Sequence, residues 1–203
     1  NARRMVIAAI ASVLWALTSL LSLTNGEPLA FVTAATLDVI RYGAWYAFLM
    51  SVLLPRVGEN NSRFLGSSTW LPTACWSLVA CGVVIQFALV AGWISPQDWL
   101  RMLILHALSQ AVFGLILIEQ LFRSVAEDSR WNVKPLCLAL LVQFVFDVYL
   151  FSDAMMFNRI DGEVLSVRGF VHLMTLPLLM LTTERSRDWT SKIQLSQKAA
   201  FHS

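Results

Sequence analysis

The chain has 203 residues, of which 57% are hydrophobic and only 14% are charged, with a formal net charge of +2. Soluble globular domains carry about 25% charged residues, so this composition excludes an ordinary soluble domain and favours a polytopic membrane protein. The small positive charge gives no indication of nucleic-acid binding, because the basic residues are concentrated in polar segments between apolar blocks.

The apolar residues fall into six blocks of roughly 20 residues, the length that crosses a hydrocarbon core of about 30 Å at about 1.5 Å per residue. The predicted spans cover residues 5–23, 29–54, 70–93, 99–121, 135–151 and 164–183. They are continuously apolar rather than alternating, which favours helices over a β-barrel. We therefore predict an all-α membrane bundle of about six helices within residues 1–184, followed by a cytoplasmic linker at 185–203.

Basic residues are distributed unequally between the polar segments. If the amino end is cytoplasmic, the outer side holds two of them, Arg159 and Arg168, and the inner side holds eleven. These eleven are Arg3, Arg4, Arg56, Arg63, Arg123, Arg130, Lys134, Arg185, Arg187, Lys192 and Lys198. Because basic residues concentrate on the cytoplasmic side, we predict that both ends are cytoplasmic. The opening NARR shows no signal-peptide pattern, so we expect at least one earlier span before Asn1.

Polar side chains interrupt four of the apolar blocks, where such groups normally face a bundle interior or a wet cavity. Most are three or four residues apart within a span, as residues on one helix face are. The candidates for a polar pocket are Asp38, Arg41, His106, Gln110, Gln143, Asp147, Arg168 and His172. Pro177 lacks an N–H and is expected to kink the sixth span, which makes it a candidate hinge.

The depth of these groups in the membrane is the main indication of function. At about 1.5 Å per residue, the depths below the outer boundary are roughly 13 Å for Asp38, 18 Å for Arg41, 10 Å for His106, 6 Å for Asp147 and 12 Å for His172. The inner half holds almost no ionisable residue. The shared depth indicates an outward-facing polar pocket; the alternative is that each group is a separate hydrogen-bonding contact between helices.

Several chemistries are excluded by the residues present. No Lys lies within a span to form a retinal Schiff base, and no phosphate-binding Gly-rich loop, HExxH or GxSxG motif occurs. Cys75, Cys81 and Cys137 fit no zinc pattern, and we interpret them as buried small hydrophobic residues. We expect no catalytic residue, metal or cofactor in this chain, although His106 and His172 leave a haem or metal protein as an alternative.

The last third of the chain carries five stretches that recur together in one family. In chain order they are LIEQLFR from Leu117, SRWNVKPLCLAL, FDVYLFSDAMMFNRID, VRGFVHLMTLPLL and the closing DWTSKIQLSQKAAFHS. SVLWAL in the first span and IRYGAWYAFL in the second match more loosely. On these stretches the chain resembles the membrane sensor histidine kinases of the PEP-CTERM/exosortase system.

The resemblance implies an amino-terminal sensory membrane region in the inner membrane of a Gram-negative bacterium. It implies that further spans, a GAF-like module and an ATP-binding kinase core follow the end of this chain. It also implies a homodimer and a response regulator that controls exopolysaccharide and PEP-CTERM protein genes. His202 lacks the acidic residue that follows a phosphoacceptor His, so it is not assigned that role.

Two signalling elements and one competing function complete the sequence-based expectations. Asp147 and His172 are the preferred sensing pair, with Asp38 and Arg41 as a second pair and Arg168 at the entrance. In WTSKIQL, from Trp189, apolar and polar residues alternate, which favours a short extended segment that carries the signal. A transporter or channel is the alternative function, although its pathway would need polar groups at all depths.

Overall fold

The computed structural model describes residues 2–25, 28–60, 70–125, 130–175 and 177–179. Within these ranges the chain is helical and contains no strand, so the predicted all-α class is confirmed for them. The helices are α1 (Ala2–Asn25), α2 (Pro28–Asn60), α3 (Trp70–Val90), α4 (Pro96–Ser124), α5 (Arg130–Phe157) and α6 (Gly162–Met174).

Among the described residues, four helices are long and apolar enough to cross a membrane, as judged by length and composition. The qualifying segments are Arg3–Ser22 in α1, Trp70–Val90, Pro96–Ser124 and Val133–Phe157 in α5. They are compatible with a membrane protein, whereas the predicted count of six spans is not confirmed. The 13 residues of α6 rise only about 20 Å, less than the roughly 30 Å of a hydrocarbon core.

Local sequence signals account for several helix ends. Ser95 caps α4 by accepting a hydrogen bond from the Asp98 amide at 3.2 Å, and Pro96 follows in the first turn, where a missing N–H costs nothing. Gly92, with φ of 71°, reverses the chain after α3. Asp161 caps α6 by accepting from the Glu163 amide at 2.9 Å.

The observed boundaries correct two of the predicted spans. α5 runs to Phe157, six residues beyond the predicted end at residue 151, because Ala154, Met155 and Met156 continue the helix through the segment read as an outer loop. α6 begins at Gly162 and ends at Met174. Residues 177–179 are again helical, while the predicted linker at 185–203 lies outside the described residues.

The core lies around α2, which packs against α1, α3 and α4, while α4 also packs against α5. Close approach depends on two glycines: a Cβ on Gly82 of α3 would lie 2.5 Å from the His106 ring, and one on Gly114 of α4 would lie 2.6 Å from the Phe144 ring. The short helix α6 packs against α1 and α5. This arrangement directs the inner faces of α2, α5 and α6 toward one another.

Candidate functional site

Four charged side chains from three helices meet inside the bundle: Asp38 and Arg41 of α2, Asp147 of α5 and Arg168 of α6. We call these four residues the charge ring. Arg41 Nη2 lies 2.8 Å from Asp38 Oδ1 and 3.2 Å from Asp147 Oδ2. Arg168 Nη1 lies 2.8 Å from Asp38 Oδ2, and its Nε lies 2.6 Å from Asp147 Oδ1. Each arginine therefore contacts both carboxylates, and acids and bases alternate around the ring.

The charge ring is almost completely removed from the surface. The side chains of Arg41 and Asp147 are 0% exposed, that of Arg168 is 3% exposed and that of Asp38 is 12% exposed. A single buried charge costs several kcal/mol when it has no partner. The ring contains two formal positive and two formal negative charges, so its net charge is zero and each member compensates two others.

The two carboxylates reach this position from helices that run in opposite directions. Asp38 lies ten residues after Pro28, where α2 begins, and Asp147 lies ten residues before Phe157, where α5 ends. Each is therefore about 15 Å along its helix from the same end of the bundle. Asp147 therefore lies ten residues from the end of its helix, compared with four residues from the predicted span end at residue 151.

His172, one turn after Arg168 on α6, joins the ring through its imidazole. Arg41 Nη1 lies 2.7 Å from His172 Nδ1, and an arginine has only donors, so Nδ1 must be the acceptor. The imidazole is therefore neutral, with its proton on Nε2, which lies 3.4 Å from Asp147 Oδ1. Tyr42 also donates a hydrogen bond to Asp147 Oδ2. Asp147 thus accepts hydrogen bonds from residues of α2 and α6 together.

Trp15 of α1 covers one side of the charge ring. Its ring centroid lies 4.4 Å from Arg41 Cζ and 4.6 Å from Arg168 Cζ, within the range of cation–π contacts. The same indole packs against the His172 ring, with centroids 5.1 Å apart. α1 therefore contributes no ionised group to the site, but its indole contacts both guanidinium groups.

Trp15 and Tyr42 were not among the predicted site residues, because that prediction considered only ionisable and amide side chains within the spans. A signal was present for Trp15. Tryptophans of an aromatic belt lie near the ends of membrane helices, whereas Trp15 lies near the middle of α1. A signal was also present for Tyr42, which directly follows Arg41 and lies four residues after Asp38, on the same helix face.

The space beside the charge ring is small. A cavity of about 50 Å³ touches Asp38, Arg168 and Trp15, together with Ser19 and Ser22 of α1. Pockets that hold organic ligands usually measure roughly 300–1,000 Å³, so this cavity has room for a few water molecules only. Five of the eight residues predicted as a pocket, the charge ring and His172, are therefore brought together as a packed cluster, and Arg168 is a buried member of it.

Three of the predicted residues lie apart from the charge ring. His106 contacts the Leu78 carbonyl of α3, with Nε2 and the oxygen 2.9 Å apart. Gln110 accepts a hydrogen bond at its backbone carbonyl from Tyr46, while its side-chain nitrogen is buried with no hydrogen-bond partner in the part of the chain that the structure describes. Both residues therefore belong to the packing of α4 against α2 and α3.

Gln143 links α5 to the end of α6. Its side-chain nitrogen donates to the Thr175 hydroxyl, which in turn donates to the His172 carbonyl at 2.7 Å. Thr175 follows the last residue of α6, two positions before Pro177. α6 is therefore followed by a turn at Thr175, and the predicted hinge Pro177 lies two residues further on, at the start of the helical residues 177–179.

The cysteines and imidazoles do not form a shared centre in the described part of the chain. Cys75 and Cys137 are buried, as predicted, whereas Cys81 is exposed. Among the described residues, no group of three or more His, Cys, Asp or Glu side chains could hold a metal ion. His106 and His172 have different hydrogen-bonding partners on different helices.

Comparisons with protein families, with curated proteins and with solved structures found no match to this chain.

Proposed function

We propose that this chain is the membrane-embedded sensory and signal-transmitting region of a two-component histidine kinase. In this proposal α1 to α6 mark six spans of a bacterial inner-membrane protein, with both ends of the chain cytoplasmic. The apolar surfaces of α1 and α3 support membrane embedding, since Leu20 is 60% exposed and Val84 is 61% exposed. The stretches that resemble the exosortase-system kinases support the signalling role.

The observation that carries the proposal is the charge ring. Buried ion pairs are weak contributors to stability, and their best-attested role is to fix one arrangement of helices against its alternatives. Here the ring joins α6 to α2 and α5, with α1 over it. Three of its four members, Arg41, Asp147 and Arg168, lie in the stretches that match the family, and so does the covering Trp15. The ring is thus a candidate joint between the bundle and the segment that leaves it.

The energies involved suit a two-state joint. Shifting an equilibrium from 1:99 to 99:1 takes about 5.5 kcal/mol, and losing one partner of a buried ion pair costs about 3–5 kcal/mol. The two energies are similar. A stimulus that stabilises a packing in which one ion pair of the ring is broken would therefore shift most molecules to that packing and change the position of α6. The movement passes through Thr175 and Pro177 to residues 185–203, and from there to the kinase core.

The downstream steps of the proposal follow from the resemblance alone. The kinase core binds ATP and phosphorylates itself in a homodimer, and a response regulator then controls exopolysaccharide and PEP-CTERM protein genes. The residues of this chain supply no catalytic group to those reactions. Their role is to set how often the core is active.

The test uses the full-length gene product in membranes, incubated with radiolabelled ATP. We expect label on the protein and a rate that changes several-fold in Asp147→Asn and in Arg168→Lys, which keeps its charge but loses the planar guanidinium. Glu119→Gln, which alters an exposed ion pair with Arg123, is the control and leaves the rate unchanged. Absence of any ATP-dependent label overturns the kinase assignment. Unaltered phosphorylation rates in both ring variants would contradict the proposal that the charge ring transmits the signal.

A further inference from the structure

A second cavity lies between α2 and α3 and shares no lining residue with the charge ring. It measures about 390 Å³, within the range of ligand pockets. The two helices touch where Gly43 faces Val79, since a Cβ on Gly43 would lie 3.3 Å from the Val79 side chain. Ser51 of α2 and Pro72 of α3 also line the cavity. We call this cavity the wedge.

The lining of the wedge is apolar and aromatic inside and basic at its mouth. Tyr46 is 1% exposed and Met50 is 7% exposed, whereas Trp76 is 61% exposed at the outer edge. The hydroxyl of Tyr46 already donates to the Gln110 carbonyl, so it presents mainly its ring to the cavity. Along α2 the wedge runs from Gly43 to Ser51, about 12 Å.

Arg4 is the charged residue of the lining. Among the described residues it has no carboxylate within ion-pair distance, in contrast to the ring arginines and to Arg123. The amino ends of α1 and α3 lie at the same end of the bundle, and each carries a partial positive charge. The mouth of the wedge therefore attracts an anion, and its interior accepts an apolar chain.

We propose that this wedge binds one anionic phospholipid, with the phosphate at Arg4 and part of an acyl chain between α2 and α3. The proposal rests on the membrane embedding proposed above but not on signalling. A phospholipid matches both observations, because it combines a negative headgroup with an apolar tail. Loss of kinase activity leaves the lipid site intact, and loss of the lipid leaves phosphorylation measurable, so the two proposals fail separately.

The experiment measures quenching of Trp76 by brominated lipid in the full chain, reconstituted in phosphatidylcholine vesicles. Brominated phosphatidylglycerol is added at increasing fractions, with brominated phosphatidylcholine as the neutral comparison. The Trp76→Phe variant identifies the part of the signal that comes from this site. We expect phosphatidylglycerol to quench Trp76 at much lower fractions than phosphatidylcholine does.

The neighbouring arginine supplies a matched control. Arg4→Gln is expected to weaken phosphatidylglycerol binding about tenfold, the factor for loss of one charged hydrogen bond. Arg3→Gln removes the same charge one position away, but Arg3 does not line the wedge, so its effect is expected to be much smaller. Both side chains are exposed, so neither change disturbs the core.

Four results would overturn the proposal. Equal quenching by the two lipids would show that the site has no preference for an anionic headgroup. Equal effects of Arg3→Gln and Arg4→Gln would show that the anionic lipid is attracted by the basic surface in general and not by this site. No quenching by either lipid means that another part of the chain fills the wedge. A further arm adds inorganic phosphate to the chain in detergent; a change of Trp76 fluorescence there assigns the site to a free anion instead of a lipid.

Discussion

Arg168 of α6 makes two parallel hydrogen bonds to Asp147 of α5, from Nε to Oδ1 at 2.6 Å and from Nη2 to Oδ2 at 3.0 Å. The planar guanidinium matches the two carboxylate oxygens, which a lysine cannot do. Because the same guanidinium also reaches Asp38 at 2.8 Å, one side chain holds three helices together.

Neutralising Asp147 is expected to destabilise the bundle strongly. Asp147→Asn leaves the two buried guanidinium groups of the charge ring with one carboxylate, and breaking a buried ion pair costs about 3–5 kcal/mol. Unfolding in mixed micelles of increasing denaturing-detergent fraction measures the loss. Glu119→Gln is the comparison. The Glu119 side chain is 56% exposed, so its ion pair with Arg123 contributes about 1 kcal/mol at most to the free energy of unfolding. Similar losses for the two variants would contradict the assigned role of the ring.

Replacing Trp15 is expected to weaken the contacts of both arginines at once. Trp15→Leu removes two cation–π contacts, each worth about 0.5–2 kcal/mol, the upper end applying where the groups are desolvated. Trp15→Phe keeps a smaller aromatic face and is expected to lose less. Trp70→Leu, a tryptophan that is 46% exposed, serves as the control in the same unfolding assay. If Trp15→Phe and Trp15→Leu lose the same stability, the indole contributes by filling space and not by cation–π contact.

Adding a methyl group to the interhelical glycines is expected to be harmful. In Gly82→Ala the new Cβ would lie 2.5 Å from the His106 ring, and in Gly114→Ala it would lie 2.6 Å from the Phe144 ring. Overpacking of this kind costs about 1–3 kcal/mol. Gly169→Ala has nothing within 4 Å of its Cβ and is expected to stabilise α6 by about 0.5–1 kcal/mol through helix propensity. A uniform effect of the three substitutions would exclude close packing as the cause.

Restoring an amide at residue 177 is expected to stiffen the end of α6. Pro177 cannot donate to the Leu173 carbonyl, and Pro177→Ala supplies that N–H, so the helix can continue past Thr175. Slower amide hydrogen exchange at residues 175–179 is the measurement. Pro72→Ala is the control, because Pro72 lies in the first turn of α3, where an N–H has no helical partner. Unchanged amide hydrogen exchange in Pro177→Ala would contradict the role of Pro177 as a hinge.

The convergence of charged residues could be anticipated in part from spacing. Asp38 and Arg41 are three residues apart on α2, a spacing that places them on one helix face, and they form an ion pair at 2.8 Å. The contacts of Asp147 with Arg41 and of Asp38 with Arg168 join residues more than 100 positions apart. Such contacts depend on how α2, α5 and α6 turn about their axes, which an isolated helix pattern does not specify.

Gln110 and His106 illustrate the opposite outcome. They lie on the buried face of α4, as their spacing indicates, but that face meets α2 and α3 rather than the charge ring. Spacing along α4 therefore predicted that His106 lies on a buried face, but not which helices it contacts. The direction in which a side chain points was the missing information.

The sequence by itself determined the helical class and the approximate helix positions, because long apolar runs of this length are most stable as helices whose backbone groups bond internally. It also identified the rare charged residues that such runs must shelter. The tertiary structure alone decided that two aspartates and two arginines close into one neutral ring under Trp15. That closure requires the rotation and end-to-end alignment of four helices, and those are set by interhelical packing such as Gly82 against His106 and Gly114 against Phe144.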